Sequence, residues 1–240
     1  MRNIAVFYHT RLDGGEPPIN TTYALELLCE QMNCLYAARL DVAASEIIVG
    51  VTASSWAALA ARSALSDKAQ LIVHPEGSKS ELTTLSHLQR WLPGHEDWYV
   101  FYHHAKGVTK PPHGIDEAWR RCMTRHLVVD WRKCVSDLDA GCDAVGCHWL
   151  LPEKHPGMAP LWATYKQFPD IIRTPYFGGN FWFAKASYLL TLPKLPENAA
   201  CRQDFFLAES WIGMGPHRPT VKDYHDAWPS TDGCHRSATQ

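Results

Sequence analysis

The chain has 240 residues, of which 46% are hydrophobic and 20% are charged. This length and composition suit one globular domain and exclude a fibrous or intrinsically disordered protein. The formal net charge of −2 gives no general attraction to nucleic acid or to anionic membranes. The longest apolar runs contain polar residues and fall short of a membrane span, and no signal-peptide pattern precedes the first strand. We therefore expect a soluble, cytoplasmic protein.

Strands and helices alternate through the first half of the chain. The pattern predicts strands at residues 4–10, 46–52, 69–76 and 98–104, and helices from about 21, over 54–65 and from about 82. Ser78 and Glu81 have the spacing of a capping box before the third helix. Such alternation is typical of a parallel sheet with right-handed crossovers, in which ligands bind at the carboxyl ends of the strands.

The second half departs from this rhythm but contains no repeat and no linker. It predicts a long helix, two strands and two further helices at residues 119–138, 142–150, 176–184, 185–192 and 202–214. We expect a single α/β domain over residues 1–228, with a mostly parallel sheet flanked by helices. A flexible tail over residues 229–240 is expected to follow.

The eight cysteines include no CxxC pair. Cys142, Cys147 and His148 could be zinc ligands, but their spacing matches no common zinc finger or ribbon. Cysteine is also among the residue types most often buried. We therefore expect reduced thiols that lie mostly in the core.

The fourth predicted strand ends in a group of potential cations, in the segment FYHHAKGVTK at residues 101–110. His103 and His104 point to opposite faces of the strand, so at most one of them faces a given cleft. Lys106 carries a compact charge suited to phosphate, and Gly107 allows a close backbone approach to an anion. The alternative is that one histidine is a core residue and Lys106 is merely solvated.

The first strand ends in His9 and Thr10, which a parallel sheet would bring to the same edge. This convergence favours a site for an anionic ligand, for which a sugar-nucleotide diphosphate is our hypothesis.

The segment FGGNFWFAKASY enters the strand predicted at residues 176–184 through a double glycine. Gly178 and Gly179 permit a positive φ or a close ligand approach, and Asn180 offers both a donor and an acceptor. Trp182 has a flat apolar face that suits a sugar ring. The alternative is a glycine bulge followed by aromatic core residues, which we favour for the two flanking phenylalanines.

Two further segments carry ionisable residues near the end of the chain. Glu209 is flanked by apolar residues on a predicted helix, and a carboxyl group in such a setting suits a general base. The alternative is an acid on the helix surface. His217, Asp223, His225 and Asp226 could supply a metal ligand or a clasp over a donor, although their spacing is not specific for a metal.

Taken together, these motifs resemble a bacterial group of GT-A glycosyltransferases of the rhamnan-synthesis type. The resemblance spans about residues 4–225 and rests on HHAKG (HTKG in relatives), a WR-x-x-M helix, DAVG, GGNFW and E-x-WIG. It implies a GT-A fold, a UDP- or dTDP-sugar donor held across the ends of the first four strands, and a role in polysaccharide biosynthesis. By position, Glu209 matches the base of inverting members.

The chain departs from the usual GT-A pattern at the metal-binding motif. His103, His104 and Lys106 stand where the resemblance would place a DxD motif, whose acids hold Mn²⁺ or Mg²⁺ under the diphosphate. The DxD at residues 137–139 lies at the end of a helix and is an unsuitable substitute. Fixed cations could neutralise a leaving diphosphate as a metal does, so the metal requirement stays open.

The sequence therefore predicts transfer of a sugar to a hydroxyl acceptor, with Glu209 and Lys106 as the catalytic residues. The expected donor-binding residues are His9, Thr10, His103, His104, Gly107, Arg120 and Arg121, and the expected acceptor- or sugar-binding residues are Gly178, Gly179, Asn180 and Trp182. One alternative is a phage-type enzyme that glycosylates DNA bases, with the arginine-bearing helix on phosphates. Another is a non-catalytic carbohydrate-binding protein, which the missing DxD would favour.

Overall fold

The structure is a computed structural model that describes residues 2–13, 19–74, 81–110, 114–151, 174–195 and 204–225. The predicted tail at residues 229–240 lies outside these ranges, as do Ser78 of the predicted capping box and Asp226.

The described strands form one seven-stranded sheet and one two-stranded sheet. They are β1 (Ile4–Arg11), β2 (Glu46–Thr52), β3 (Ala69–His74), β4 (Tyr99–His104), β5 (Ala144–Gly146), β6 (Trp149–Leu150), β7 (Tyr176–Phe177), β8 (Trp182–Lys185) and β9 (Val221–Asp223). The larger sheet has the order β3-β2-β1-β4-β8-β5-β9, and β6 pairs with β7. Within the larger sheet only β8 is antiparallel, to both β4 and β5. The predicted mostly parallel sheet is confirmed.

Helices flank the sheet on both faces. They are α1 (Thr21–Ala37), α2 (Leu40–Ala43), α3 (Ser55–Ser63), α4 (Leu82–Trp91), α5 (Ile115–Thr124), α6 (Trp131–Asp139), α7 (Ala186–Leu189) and α8 (Asp204–Ser210). A π-helical segment, Arg125–Val129, joins α5 to α6, and a 3-10 turn, Trp211–Gly213, follows α8. No helix in the described ranges is long and apolar enough to cross a membrane.

Side chains alternate across the central strands and build one core on each face of the sheet. Phe101 and Phe183 belong to the core that α1, α3 and α6 cover. Tyr102 and Trp182 belong to the core that α4, α7 and α8 cover. The near-continuous apolar pattern of β1, β2 and β4 follows from this two-sided burial.

Three predicted elements are interrupted in the structure. The helix predicted at residues 119–138 is divided by the π-helical segment. The strand predicted at residues 142–150 becomes β5 and β6, and the one predicted at residues 176–184 becomes β7 and β8, each pair divided between the two sheets. Positive φ angles explain both strand breaks, since His148 has φ 59° and Asn180 has φ 53°. Strand β9 was missed because the segment around it is short and polar.

We expect Phe183→Ala to lower the free energy of unfolding by about 3–5 kcal/mol. Phe183 is fully buried and stacks on Phe101 with 4.4 Å between ring centroids, in the strand that joins the two halves of the sheet. Urea denaturation followed by circular dichroism measures the change. Leu59→Ala is the control, because Leu59 is 74% exposed and should change stability by less than about 0.5 kcal/mol. Equal effects of the two changes would contradict the prediction.

Candidate active site

The carboxyl ends of β1, β3 and β4 bring histidines and one lysine to a single edge of the sheet. His9 is paired in register with His104 of β4 and with Gly50 of β2. His74 is the last residue of β3, and Lys106 follows β4 after one residue. The parallel topology thus places the predicted strand-end residues together, as expected from alternation alone.

His9 and His74 share the hydroxyl group of Thr84. The Thr84 Oγ1 atom lies 2.8 Å from His9 Nδ1 and 2.9 Å from His74 Nε2. Burial, followed by the neighbouring His74, holds the pKa of His9 well below its usual range. Burial, followed by His87, lowers the pKa of His74 to about 4. Both rings are therefore neutral at physiological pH.

Gly50 makes this arrangement possible, because a Cβ there would lie 2.1 Å from Thr84 Oγ1. Thr10, beside His9, is 1% exposed, so the predicted donor-binding residues of β1 are both buried at the strand end.

His103 lies apart from this group, inside an aromatic core. Its ring is 4.6 Å from that of Tyr8, 4.6 Å from Phe101 and 5.6 Å from Phe181 between centroids. The residue is completely buried, and burial lowers the pKa of its ring to about 3. The structure therefore gives no support to direct donor contact by His103. His103 occupies the position of a core residue, which agrees with the alternative given by the sequence.

His104 points to the opposite face of β4 and contacts the glycine-rich turn. Its Nε2–H donates to Gly179 O at 2.8 Å, and Nδ1 lies 3.9 Å from Glu81 Oε2. Burial, followed by the Lys106 charge, lowers the pKa of His104 to about 4. Burial thus favours the neutral form of both His103 and His104, which argues against two of the three expected cations.

Lys106 lies among acidic and aromatic side chains. Its Nζ is 3.7 Å from Asp116 Oδ1 and 4.4 Å from the centroid of the Trp119 ring. The lysine side chain is only 13% exposed, so solvent screens its charge weakly. Gly107 has φ 89°, and a Cβ there would lie 3.1 Å from Asp116 Cβ. Glycine at this position therefore lets the lysine loop pack against α5.

Two buried carboxyl groups face this lysine. Burial raises the pKa of Glu209, while Lys106 opposes the shift and Glu81 adds to it. Burial raises the pKa of Glu81 to about 7, opposed by hydrogen bonds from Tyr102 and Asn180 and by Lys106. The sequence spacing predicts a capping-box role for Glu81. Its side chain instead accepts from Tyr102 O–H at 2.8 Å.

One oxygen of the Glu81 carboxyl group is a buried acceptor that lacks a hydrogen bond from the described residues. Glu81 Oε2 accepts two hydrogen bonds, from Tyr102 O–H and, at 3.0 Å, from Asn180 Nδ2. Glu81 Oε1 is buried and has no hydrogen-bond partner in the part of the chain that the structure describes. The sequence around residue 81, SKSELTTL, is mostly polar and gives no sign of this burial.

Asn180 and Trp182 are buried residues that hold Glu81 in position through hydrogen bonds. Asn180 is fully buried, donates to Glu81 and to Ala208 O, and accepts from Trp182 Nε1 at 2.7 Å. Trp182 is fully buried as well and stacks on Tyr102 with centroids 5.2 Å apart. The indole therefore has no face available to a sugar ring, and its contact orients Asn180.

Gly178 and Gly179 serve helix packing. A Cβ on Gly178 would lie 2.9 Å from Trp119 Cζ2, and one on Gly179 would lie 2.8 Å from Met123 Cε. Both glycines thus let α5 approach the turn closely, and the Gly179 carbonyl oxygen holds His104.

The two predicted arginines have different environments. Arg120 is 1% exposed, donates to Lys106 O at 2.9 Å and pairs with Glu30 at 3.2 Å. It therefore fixes the lysine loop, and its guanidinium is engaged by protein groups. Arg121 pairs with Glu117 at 2.5 Å, and its side chain is 66% exposed, so it lies on the helix surface.

Among the described residues, the acids at this edge do not fit a carboxylate-held Mg²⁺ or Mn²⁺. Such a metal needs several oxygen ligands, whereas Asp116 pairs with the Lys106 ammonium group at 3.7 Å and both glutamates interact electrostatically with the same cation. In the described ranges, Cys122, His148 and His225 form the one group of three metal-ligating residues. The DxD at residues 137–139 is also unsuitable, because Asp139 accepts from Tyr99 O–H at the opposite end of β4.

His217 lies far from His225 in the fold. It lines a shallow pocket with Asp143, Tyr188 and Arg218, at the edge where β5 and β9 begin. Lys106 lies beyond the other end of β4, so this pocket is separate from the candidate site.

Solved structures resemble the chain in fold. A crystal structure of a mycobacterial protein aligns with TM-score 0.50 and 15% identity over 94% of this chain. Glucosyl-3-phosphoglycerate synthase from Mycobacterium tuberculosis, in complex with Mn²⁺, UDP and phosphoglyceric acid, aligns with TM-score 0.44 and 13% identity over 93% of this chain and 68% of its own. A putative nucleotide-diphospho-sugar transferase from Desulfovibrio desulfuricans G20 aligns with TM-score 0.41 and 9% identity, over 94% and 80%.

The chain spans 65% of the length of the mycobacterial protein. No protein-family model and no curated protein matches the sequence. At these identities the likeness shows fold alone. The sheet order confirms the predicted α/β class, a mostly parallel sheet flanked by helices in one domain, and the assignment to the GT-A group remains a prediction. The rhamnan-synthesis subgroup likewise remains a prediction.

We expect His103→Leu to raise the free energy of unfolding at pH 7 by about 1 kcal/mol. Neither ring nitrogen of His103 has a hydrogen-bond partner within the described residues, so an apolar side chain of similar size removes an unmatched polar group. The change should also reduce the pH dependence of stability. The unfolded histidine binds a proton below about pH 6.5, and the folded one does not until about pH 3.

Stability that depends on neutral His103 is therefore present above about pH 6.5 and is lost as the pH falls toward 3. Removing His103 removes the one proton that this residue takes up on unfolding. The slope of the free energy of unfolding against pH should therefore decrease by about 1.4 kcal/mol per pH unit. Urea titrations between pH 4.5 and 6.5 measure this decrease. His95→Leu is the matched control, because His95 is half-buried and its Nδ1 is bonded to Trp91 O at 2.7 Å. Lower stability of His103→Leu at pH 7, with an unchanged slope, would contradict the assignment.

Proposed function

We propose that the chain is a glycosyltransferase that moves a sugar from a nucleotide-sugar donor to a hydroxyl acceptor. One observation carries the proposal: Lys106, which follows the carboxyl end of β4 and lies 3.7 Å from Asp116, is close enough to the buried Glu209 carboxyl group to lower its pKa. Open α/β sheets bind their ligands at the carboxyl ends of their strands. A largely buried cation near a buried acid of raised pKa supplies both charges that the transfer requires.

Lys106 is assigned to the diphosphate of the donor. When the bond between the anomeric carbon and the diphosphate oxygen breaks, its electron pair stays on that oxygen. A weakly screened ammonium group stabilises the developing negative charge. With His103 and His104 neutral, this role falls to a single cation, and the hypothesis of several cooperating cations is abandoned. His104 is assigned to positioning, through its bond to Gly179.

Glu209 is assigned to the acceptor. The acceptor oxygen forms the new bond to the anomeric carbon, and its proton passes to the Glu209 carboxylate. A raised pKa makes a carboxylate a stronger base. The Lys106 charge opposes the rise in the pKa of Glu209 and so favours the ionised form that acts as the base.

Glu81 and the end of β1 are assigned to donor binding. The unmatched Glu81 Oε1 would accept a hydrogen bond from a sugar hydroxyl, which removes the cost of an unpaired buried acceptor. His9 and Thr10 border the same edge and would line the nucleotide pocket. A UDP- or dTDP-sugar remains the expected donor, and a polysaccharide or other glycan the expected acceptor.

Lys106→Ala should lower donor turnover by at least about 100-fold, the usual loss when a group that stabilises transition-state charge is removed. The protein is first screened by thermal shift against UDP- and dTDP-sugars, with and without Mn²⁺, since a specific ligand stabilises the folded state. Release of the nucleotide diphosphate is then measured with the stabilising donor. Lys133→Ala, which removes a lysine whose side chain is 57% exposed, is the matched control.

An unchanged turnover in Lys106→Ala would remove the central assignment. Binding of a donor or glycan without turnover in the unmodified protein would favour the carbohydrate-binding alternative. Transfer to DNA, with salt-sensitive retention of DNA, would favour the phage-type alternative.

Glu209→Gln should lower kcat by about 10²–10⁴-fold, as expected when a general base is lost, with little change in the donor-induced thermal shift. The base acts in its ionised form, so kcat/KM should be high above the pKa of Glu209 and fall as the pH drops through it. Because burial raises that pKa, the decline should begin above the usual range of a carboxyl group. An acidic decline that persists unchanged in Glu209→Gln would assign the base to another residue.

A further inference from the structure

A second cluster of reactive side chains lies beside α5 and is not used by the proposed transfer. Cys122 lies on α5, His148 lies between β5 and β6, and His225 follows β9. One ligand atom from each residue, the thiol sulfur and two ring nitrogens, lies within 4.8 Å of the others. Cys122 is 5% exposed and His148 is 1% exposed. Three soft or borderline ligands from three distant segments thus meet in a protected position.

The backbone holds the two histidines in place. The His148 N–H donates to His225 O at 2.9 Å. The Asp223 carboxylate accepts from Trp149 N–H at 2.8 Å and from His225 N–H at 3.1 Å. His148 has φ 59°, a conformation that a non-glycine residue adopts at a cost of about 1–3 kcal/mol. These bonds fix the ends of β5 and β9 relative to each other, so the two imidazoles are oriented before any ligand arrives.

The helix that carries Cys122 is irregular at the same place. The π-helical segment Arg125–Val129 begins three residues after Cys122, and such segments occur frequently at functional sites. It carries His126, whose ring lies 6.2 Å from that of His225 between centroids. A further imidazole therefore stands next to the three ligands.

We propose that Cys122, His148 and His225 bind a zinc ion. Zn²⁺ takes thiolate and imidazole ligands at about 2.0–2.3 Å in a tetrahedral arrangement. Such bond lengths put the ligand atoms roughly 3.3–3.8 Å apart, so side-chain rotation closing about 1 Å completes the site. The Cys122 thiol releases its proton when its sulfur coordinates the metal. Three protein ligands leave the fourth position open to water.

The ligand types distinguish this site from the metal site that the GT-A resemblance implies. Mg²⁺ and Mn²⁺ prefer carboxylate, carbonyl and water oxygens, whereas thiolate and imidazole select zinc and similar late transition metals. The proposed ion would be held apart from the donor diphosphate.

The Trp119 ring stands between the two sites. It contacts Lys106 Nζ on one side and the ring of His148 on the other, with centroids 5.5 Å apart and planes at 89°. The bound metal would therefore stabilise the position of the Trp119 ring, against which Lys106 packs. Zinc binding can be tested without any assay of sugar transfer.

The test measures metal binding by the whole chain. The purified protein is stripped with a chelator and titrated with Zn²⁺ against a chromophoric competitor, and its metal content is measured by mass spectrometry. We expect one zinc per chain, which a large excess of Mn²⁺ does not displace. Replacement by Co²⁺ should produce the thiolate-to-cobalt charge-transfer band and the intense visible bands of tetrahedral cobalt.

Cys122→Ser, His148→Ala and His225→Ala should each lower the zinc affinity by at least about 100-fold. Loss of a residue that only hydrogen-bonds to a metal ligand already lowers affinity by up to about 100-fold, and these three residues would bind the metal directly. Cys122→Ser should also abolish the cobalt charge-transfer band. Cys142→Ser and His217→Ala are the matched controls, since both residues lie outside the cluster, and they should bind zinc as the unmodified chain does. Circular dichroism of the stripped proteins verifies that each variant folds.

His225 is only partly buried, so His225→Ala keeps the test decisive if the other variants do not fold. The proposal is overturned if the unmodified chain binds less than one zinc against the competitor, if its cobalt form has no thiolate band, or if His225→Ala retains full affinity. None of these results depends on whether the chain transfers a sugar.

Discussion

The hydrogen bonds that hold the Glu81 carboxyl group beneath β4 organise the functional edge of this protein. Burying a carboxyl group costs several kcal/mol unless its oxygens are matched. Tyr102 and Asn180 match one oxygen, and the Lys106 charge lowers the remaining cost. Asn180, which donates to Glu81, has φ 53° and lies in the turn between β7 and β8. The same residue therefore takes part in the turn that leads into the antiparallel strand and in the polar cluster at the edge of the sheet.

Burial decides which of the conspicuous ionisable side chains carry charge. Four histidines gather near the ends of β1, β3 and β4, and the pKa of each is lowered chiefly by burial. They therefore act as neutral hydrogen-bonding or packing groups. Lys106 keeps a special position because its ammonium group has carboxyl groups and an aromatic face around it, which compensate for its removal from water. Lys106 is therefore balanced against several acids at this edge.

Helix α5 connects the parts of the molecule that we assign to function. Arg120 ties the lysine loop to α1 through Glu30, and Trp119 packs against both Lys106 and His148. Cys122, one turn further along, belongs to the proposed zinc site. A single helix therefore contributes to the placement of both the proposed transfer site and the proposed metal site, through residues that are close in sequence but contact different neighbours.

Much of the fold follows from the sequence by itself. The apolar runs of β1, β2 and β4 and the periodicity of α1 and α4 reflect burial on a fixed local geometry, and a parallel sheet brings strand ends such as His9 and Lys106 to one edge. Tertiary structure decided the rest. Whether Glu81 caps a helix or lies under a strand, whether His103 or His104 faces the cleft, and whether Cys122 meets His148 and His225 all depend on contacts between residues distant in the chain. Charge also depends on these contacts, because desolvation is a property of the packed environment and leaves no local signal in the sequence.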